Sequence, residues 1–486
     1  MSPVGRHAVF TRLRRCGVTM SVAISLGACV ARTPERTPPP LPAAFDAHAA
    51  VRSSLASWWT AFGSSELSRL MGQATANNLD VLAAVARVER AEALSRAAGA
   101  QLFPFVAVNA GGARSQSSGT TGRSVNSPSR SSVVAGALSA SFELDIWGRN
   151  RDRLRAALLT ETASRDDRDA ILLSTQGAVV NAWLLYGAAN ERIAIARRNL
   201  SNAERIRAAV AQRVSLGVTT ALELAQQDSL VASQRAAIPP LRQSADTARN
   251  VLSLLIGEAP QSARIAAASL STLRVPANRP GLPSALLQQR PDVRRAEALL
   301  ASAEADLSAA RKALFPAISL TASTGFQSAA LANLIRPESL AMSIGAGLVQ
   351  TVFDGGRIQA LGDAVAADRK ELLELYRKAV LTSLFDVANA LTAIRESAAR
   401  EAAQRVVSAK AREAFGLAEQ RLKEGAIDLQ ALLITQNSLF QADDNLVEAR
   451  LARLQAAVSL IIALGGDVSC GRGASAGFQP EAIARC

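Results

Sequence analysis

Hydrophobic positions along the chain follow two textures. Over most of its length small apolar residues recur at steps of three and four. Ala170, Leu173, Gly177, Val180, Leu184 and Ala188 keep that step, which is the coiled-coil period. In two places the step becomes two. Leu138, Ala140, Phe142 and Leu144 alternate with Ser139, Ser141 and Glu143, so the apolar set shares one side of a strand. The pattern predicts strands at about 104–111, 133–146, 317–326 and 341–353. It predicts long helices at about 152–216, 221–256, 358–424 and 429–464, with Pro239-Pro240 interrupting the second of them. Gly112 to Ser132 and Gln327 to Leu340 read as loops, rich in Ser, Gly and other turn formers. The helical faces are dominated by Ala, Gly and Ser, which allow close approach but bury little per chain. Long helices packed side by side between subunits satisfy such a pattern better than one globule.

These elements come twice. Asp80 to Pro104 aligns without a gap on Asp292 to Pro316; the shared residues include Ala91-Glu92-Ala93 with Ala303-Glu304-Ala305, and Leu102-Phe103-Pro104 with Leu314-Phe315-Pro316. Each long helix ends at a glycine, Gly217 or Gly425, and each returning helix at Gly257 or Gly465. The period is too long for a solenoid unit and reads as a duplicated half-molecule. Expected boundaries are a signal peptide at 1–28, a tether at 29–63, a first repeat at 64–280, a second at 281–466 and a tail at 467–486. Asn77-Asn78 breaks the first helical pattern. Asp80 is then expected to favour the start of the next helix by capping and the dipole. Trp58-Trp59 is expected to pack against a neighbouring face.

The N-terminus is a targeting segment. Arg6, Arg12, Arg14 and Arg15 precede an apolar stretch from Val18 to Leu26, which ends Leu26-Gly27-Ala28-Cys29. This resembles a bacterial lipobox, in which Cys29 becomes the lipidated first residue; the alternative is an ordinary secretory signal. Val30 after the cysteine resembles the outer-membrane sorting pattern. The chain carries a formal +13, of which the four signal arginines account for part. The rest is scattered among acids along helices, aromatics are few, and the protein is exported. A solvated helix surface explains the charge better than nucleic acid. Cys470 and Cys486 either pair to close a short C-terminal loop or stay as two free thiols. With one histidine left after processing, His48, metal sites and His-dependent catalysis are poorly supplied, and no cofactor is expected. No nucleophile–base pair or phosphate loop is visible in the sequence, so an enzyme is not expected.

After the signal no run of eighteen apolar residues occurs, so the mature chain is either soluble or crosses a membrane as a β-barrel. Four strands cannot close one. An open edge in lipid leaves backbone groups unsatisfied at several kcal/mol each. Twelve strands from three chains would enclose a lumen. The expected fold is therefore mainly α with a β-barrel contribution: tandem long-helix hairpins in a trimeric α-helical barrel, plus four transmembrane strands per chain. Trp147, at a strand end, fits the aromatic level of a membrane interface.

At this point several segments carry a family resemblance. Leu282-Pro283-Ser284-Ala285-Leu286-Leu287-Gln288-Gln289-Arg290-Pro291-Asp292-Val293-Arg294-Arg295-Ala296-Glu297 resembles the hallmark of NodT/OprM-type outer-membrane factors, relatives of TolC. So do Trp58-Trp59, Asn77-Asn78-Leu79-Asp80, Phe142-Glu143-Leu144-Asp145-Ile146-Trp147-Gly148-Arg149 and Val352-Phe353-Asp354-Gly355-Gly356-Arg357. The resemblance spans essentially the mature chain. It implies a homotrimeric channel-tunnel in the outer membrane, the exit duct of a tripartite efflux pump with a periplasmic adaptor and an inner-membrane transporter. It implies adaptor docking and a gate at the periplasmic end, near Gly217 and Gly425. Glu223 stands where the family often has an acid. Ile434 stands where relatives often have Asp, so an acidic ring there is missing, supplied by Asp428, or replaced by a hydrophobic constriction. Arg421 and Lys423 are expected to pair with acids across a closed gate; ordinary solvated helix-tip charges are the alternative. A secretion duct for polypeptides would share the architecture, and a lipid-anchored coiled-coil scaffold is the reading from another class.

Overall fold

The computed structural model describes residues 57–116, 118, 130–267, 269–276 and 289–466. The chain divides into two units, Met1–Thr37 and Pro38–Cys486. The first lies wholly outside the described residues, as do Cys29, the signal and the tether up to residue 56, the segment from Leu282 to Gln288, and Cys470, Cys486 and the tail. Everything that follows concerns the second unit.

A 3-10 turn at Trp58–Phe62 leads into α1 (Ser65–Asn77) and α2 (Leu79–Ala100). Strands β1 (Phe105–Gln116) and β2 (Arg130–Leu144) precede α3 (Arg149–Ser215) and α4 (Ala221–Leu255). A linker containing the 3-10 turn Leu270–Thr272 follows. The second series is α5 (Pro291–Lys312), β3 (Ala317–Ser328), β4 (Leu340–Val349), α6 (Arg357–Lys423) and α7 (Leu429–Ala463). The repeat is visible in the lengths: α2 and α5 have 22 residues each, α3 and α6 have 67, and α4 and α7 have 35. A 67-residue helix spans about 100 Å at 1.5 Å per residue.

The strands form one antiparallel sheet in the order β1-β2-β3-β4, so β2 and β3 join the two repeats and β1 and β4 are its edges. Strand ends differ from the sequence expectation. β1 runs on through Gly111-Gly112 to Gln116, and β2 begins at Arg130, inside the expected loop. Ladder hydrogen bonds belong to the backbone, and Gly112 opposite Val134 or Ser115 opposite Ser131 form them as well as any pair. β4 stops at Val349 rather than at 353, because its partner β3 begins opposite it, at Ala317.

Two further expectations are corrected. Pro239 and Pro240 do not break α4. Both prolines and the residues four before them, Arg235 and Ala236, lie on the exposed side, where freed carbonyls remain solvated. The opposite side, with Ile238, Ala245 and Ala248, stays buried without interruption. The cap of α2 is Asn78, not Asp80: its Oδ1 accepts from the backbone N–H groups of Asp80 (3.0 Å) and Val81 (3.1 Å). Asp80 sits in the first turn, where its charge meets the positive end of the helix dipole.

The main core gathers Trp58, Phe62, Leu67 and Leu70 against Trp183 and Leu184 of α3, Leu252 of α4 and Leu454 of α7. Trp58 is buried as expected, and its indole N–H donates to Gln176 Oε1 at 3.3 Å. This core lies about midway along α3, where α1, α4, α7 and the linker pack on it; this region is the collar.

Candidate functional site

The sheet has two unlike faces. Cross-strand partners point the same way. The register therefore collects Val106, Val108, Leu138, Phe142, Leu320, Phe326, Ile344 and Leu348 on one face. The other face carries Asn109, Ser139, Ser141, Ser319, Thr321, Ser323, Ser343 and Gly345. On the polar face Asn109 Nδ2 donates to Ser139 Oγ at 2.7 Å, and the hydroxyls of Ser323 and Ser343 are 2.8 Å apart. Among the described residues nothing covers the middle of the β4 part of the apolar face; Ile344 is 91% exposed. One face suits lipid and the other a water-filled lumen. The edges β1 and β4 have no strand partner among the described residues.

At the membrane-proximal end, Trp147 stacks on Phe315 with ring centroids 5.0 Å apart, and its N–H donates to the Pro316 carbonyl at 2.8 Å. An exposed indole beside a second ring at the strand ends is an interfacial arrangement. Asp145 and Asp354, the acids of the two recurring strand-end motifs, start the long helices. Asp145 accepts from the N–H groups of Asn150 and Arg151, and Asp354 from those of Gly356 and Ile358.

The far ends of the two helix pairs come together. Val214 and Leu224 from the first pair share a cluster with Phe415, Leu422, Ile427, Leu429 and Leu432 from the second. Gly217 (φ 71°) and Gly425 (φ 73°) turn the chain in the left-handed region. In both turns the next residue's N–H reaches back to a helix carbonyl, Val218 to Arg213 and Ala426 to Arg421, each at 2.9 Å. Thr220 caps α4 and Asp428 caps α7, the latter accepting from Ala431 N–H at 2.9 Å. Glu223 stands in the first turn of α4, three residues after its cap. The structure thus brings Glu223, Asp428, Arg421 and Lys423 to one end. Lys423 pairs within its own helix, 3.6 Å from Glu419, which also meets Arg205 at 2.7 Å. Ile434 is 60% exposed, one turn farther from the end.

The collar holds charges that sequence reasoning missed. Glu401 is 1% exposed and lies between Arg450 (3.0 Å), Arg453 (2.8 Å) and Arg405 (2.5 Å). Burial pushes this carboxyl up, but the hydrogen bond from Arg453 and the charges of Arg450 and Arg405 outweigh it and hold it below its ordinary range. Arg450 also donates to the carbonyls of Leu270 and Leu273, tying the inter-repeat linker to α7. The Arg-Pro-Asp-Val-Arg-Arg segment is electrostatic too. Arg290 meets Asp292 (2.8 Å) and Asp386 (2.9 Å), Arg294 meets Asp166 (2.8 Å), and Arg295 meets Asp167 (3.2 Å). The Arg-Asp-Asp-Arg-Asp run at 165–169 was the available signal for the α3 side of these pairs.

The same joint is built twice. Asn78 Nδ2 donates to the Leu255 carbonyl at 2.9 Å, and Arg290 Nη1 to the Ala463 carbonyl at 3.2 Å. Each ties the start of a short helix to the end of a returning one. Gly257 and Gly465 close these joints at positive φ; a Cβ there would stand 2.5 Å from the Asn77 carbonyl oxygen and 2.9 Å from that of Gln289.

Comparison with known proteins agrees with this geometry. A model of outer membrane efflux proteins matches residues 70–258 and again 282–466. The pyoverdine export outer membrane protein OpmQ of Pseudomonas aeruginosa is 40% identical over 461 residues, covering 92% of this chain and 96% of that one. The cation efflux system protein CusC of Escherichia coli K12 is 29% identical over 456 residues, covering 92% and 98%. A crystal structure of a membrane protein from Pseudomonas aeruginosa superposes with a TM-score of 0.81 at 30% identity, covering 88% and 96%. The expected fold class stands: mainly α-helical with a β-barrel contribution.

Proposed function

Because this chain belongs to the outer membrane efflux protein family, we propose that its trimer is the outer-membrane exit duct of a tripartite pump. Such a protein is an efflux channel of the outer membrane, not an enzyme. The observation that carries the reading is the two-faced, four-stranded sheet with both edges open. Three copies supply twelve strands, the apolar faces meet lipid and the hydroxyl-lined faces meet a continuous lumen. The helices continue that lumen into the periplasm. Exposed apolar residues on α2 and α4 (Leu94, Leu254) and on α6 (Leu381, Phe385) supply the contacts between copies.

The duct is passive. The turns at Gly217 and Gly425 receive the hairpins of a periplasmic adaptor, which connects to an inner-membrane transporter. Cys29 carries the lipid anchor. The cargo is a small molecule. Relatives named for such different cargoes as pyoverdine and cations share this fold, and the lumen face of the sheet is mostly small residues and hydroxyls, with Asn109 and Glu143 among them. Selection therefore rests with the pump, not with the duct.

Three measurements test the reading. The purified protein should run as a heat-modifiable trimer and conduct ions in planar bilayers; a scaffold would not conduct. A deletion strain should retain small toxic compounds while its exported polypeptides are unchanged; loss of an exported polypeptide would favour the secretion duct. Neutralising the tip with Glu223→Gln and Asp428→Asn, the second of which preserves the cap, should change conductance or cation block. Identical traces would remove both acids from the gate.

A further inference from the structure

The collar contains an open cavity of about 600 Å³ between α1, α3, α4 and the inter-repeat linker. Three guanidinium groups converge on it: Arg69, Arg249 and Arg264. Arg69 is fully used. It donates to Glu66 (2.9 and 2.8 Å), to Gln73 (2.7 Å) and to the Arg264 carbonyl (2.8 Å). Its hydrogen bond holds the Glu66 carboxyl below the ordinary range, so this pair cancels at neutral pH. The other two guanidiniums are unspent. Among the described residues the side chain of Arg264 has no partner. Arg249 has only Asp246 at 4.0 Å, and its Nε is buried without an acceptor. Tyr186 stands on one wall and the side chains of Ala263 and Ile265 form another. Two cations thus face a concave, partly apolar site with donor capacity left over. Guanidinium pairs planar carboxylates bidentately, and the Arg249 side chain is 41% exposed and open to such a ligand.

Position identifies the source of the carboxylate. Tyr186 lies 37 residues along α3 from Arg149, about 55 Å from the membrane sheet at 1.5 Å per residue. That is well inside the periplasm, the compartment that holds the peptide-crosslinked cell wall. We propose that the cavity binds free carboxylates of cell-wall peptides through Arg249 and Arg264, holding the channel in the mesh it must cross. The proposal uses the outer-membrane location and is independent of cargo, pump and gate.

The test uses the full-length trimer in detergent and muropeptides released from purified sacculi by a muramidase. Wild type should bind them, and Arg249→Ala with Arg264→Ala should weaken binding at least tenfold. Arg242→Ala, an exposed arginine elsewhere on α4, should leave it unchanged. Esterified muropeptides should not bind. Bilayer conductance of the double variant should equal wild type, so failure here is separable from failure of the channel reading. Undiminished binding by the double variant would overturn the proposal. So would equal affinity for an unrelated Asp/Glu-rich peptide, which would point to a protein partner, or an acidic side chain of the adjacent copy seated between the two arginines.

Discussion

Glu401 shows what one side chain does in a fold of long parallel helices. Its partners Arg450 and Arg453 lie on α7, and through Arg450 the carboxylate fastens the linker between the repeats. Removing one partner of a buried pair costs about 3–5 kcal/mol, because the remaining charge stays desolvated. Arg450→Met leaves Glu401 with Arg453 and Arg405 and should therefore cost less than that, read as a modestly earlier loss of the trimer band on heating. The depressed pKa also sets a pH dependence. Its stabilisation is complete above the unfolded-state value, about 4.3 for Glu, and is lost as pH falls through the lower folded-state value. The stability of Glu401→Gln should consequently fall less than that of wild type between pH 6 and pH 3; parallel curves would show that Glu401 does not titrate in this window. Gly465→Ala combines a left-handed backbone with a clash against the Gln289 carbonyl and should cost about 1–3 kcal/mol. Gln436 is the opposite case: fully buried at the tip, with neither amide atom bonded. Gln436→Leu should raise thermal stability, since it removes an unsatisfied group.

At the scale of elements, the two sheet faces make a sharp prediction. Ile344→Lys puts a charge on the lipid side and should cost about 2–4 kcal/mol near the midplane, seen as lost membrane assembly. Ser323→Lys on the lumen side should assemble normally and shift ion selectivity. Equal assembly of both would mean the faces are misassigned. The same elements show what a sequence reveals. Helix ends were legible within three residues, because Gly217, Gly425 and the caps Thr220 and Asp428 act locally. Strand ends were not, because a Gly-Ser stretch is strand or loop according to what lies beside it, and here β2 lies beside β1. The prolines of α4 were misleading for the same reason: packing on α3 decides, and it is absent from the local pattern. The candidate site divides likewise. The tip turns were visible, whereas the acceptor of Arg450 and Arg453 is 49 and 52 residues away and no local signal marks it.

For the whole molecule, duplication sets the geometry. Equal helix pairs put two hairpins side by side and two strand pairs in one sheet, and the chain stops one third of the way around a wall. Each edge must then meet the opposite edge of another copy. Cysteine cross-linking tests this directly. Ala107 on β1 and, in turn, Ala341, Ser343, Gly345 or Gly347 on β4 all point to the polar face. With Cys470 and Cys486 replaced by Ser, one such register should give an oxidant-dependent ladder that ends at three copies. No intermolecular cross-link at any register, or a ladder running beyond three, would contradict closure of the barrel by a trimer.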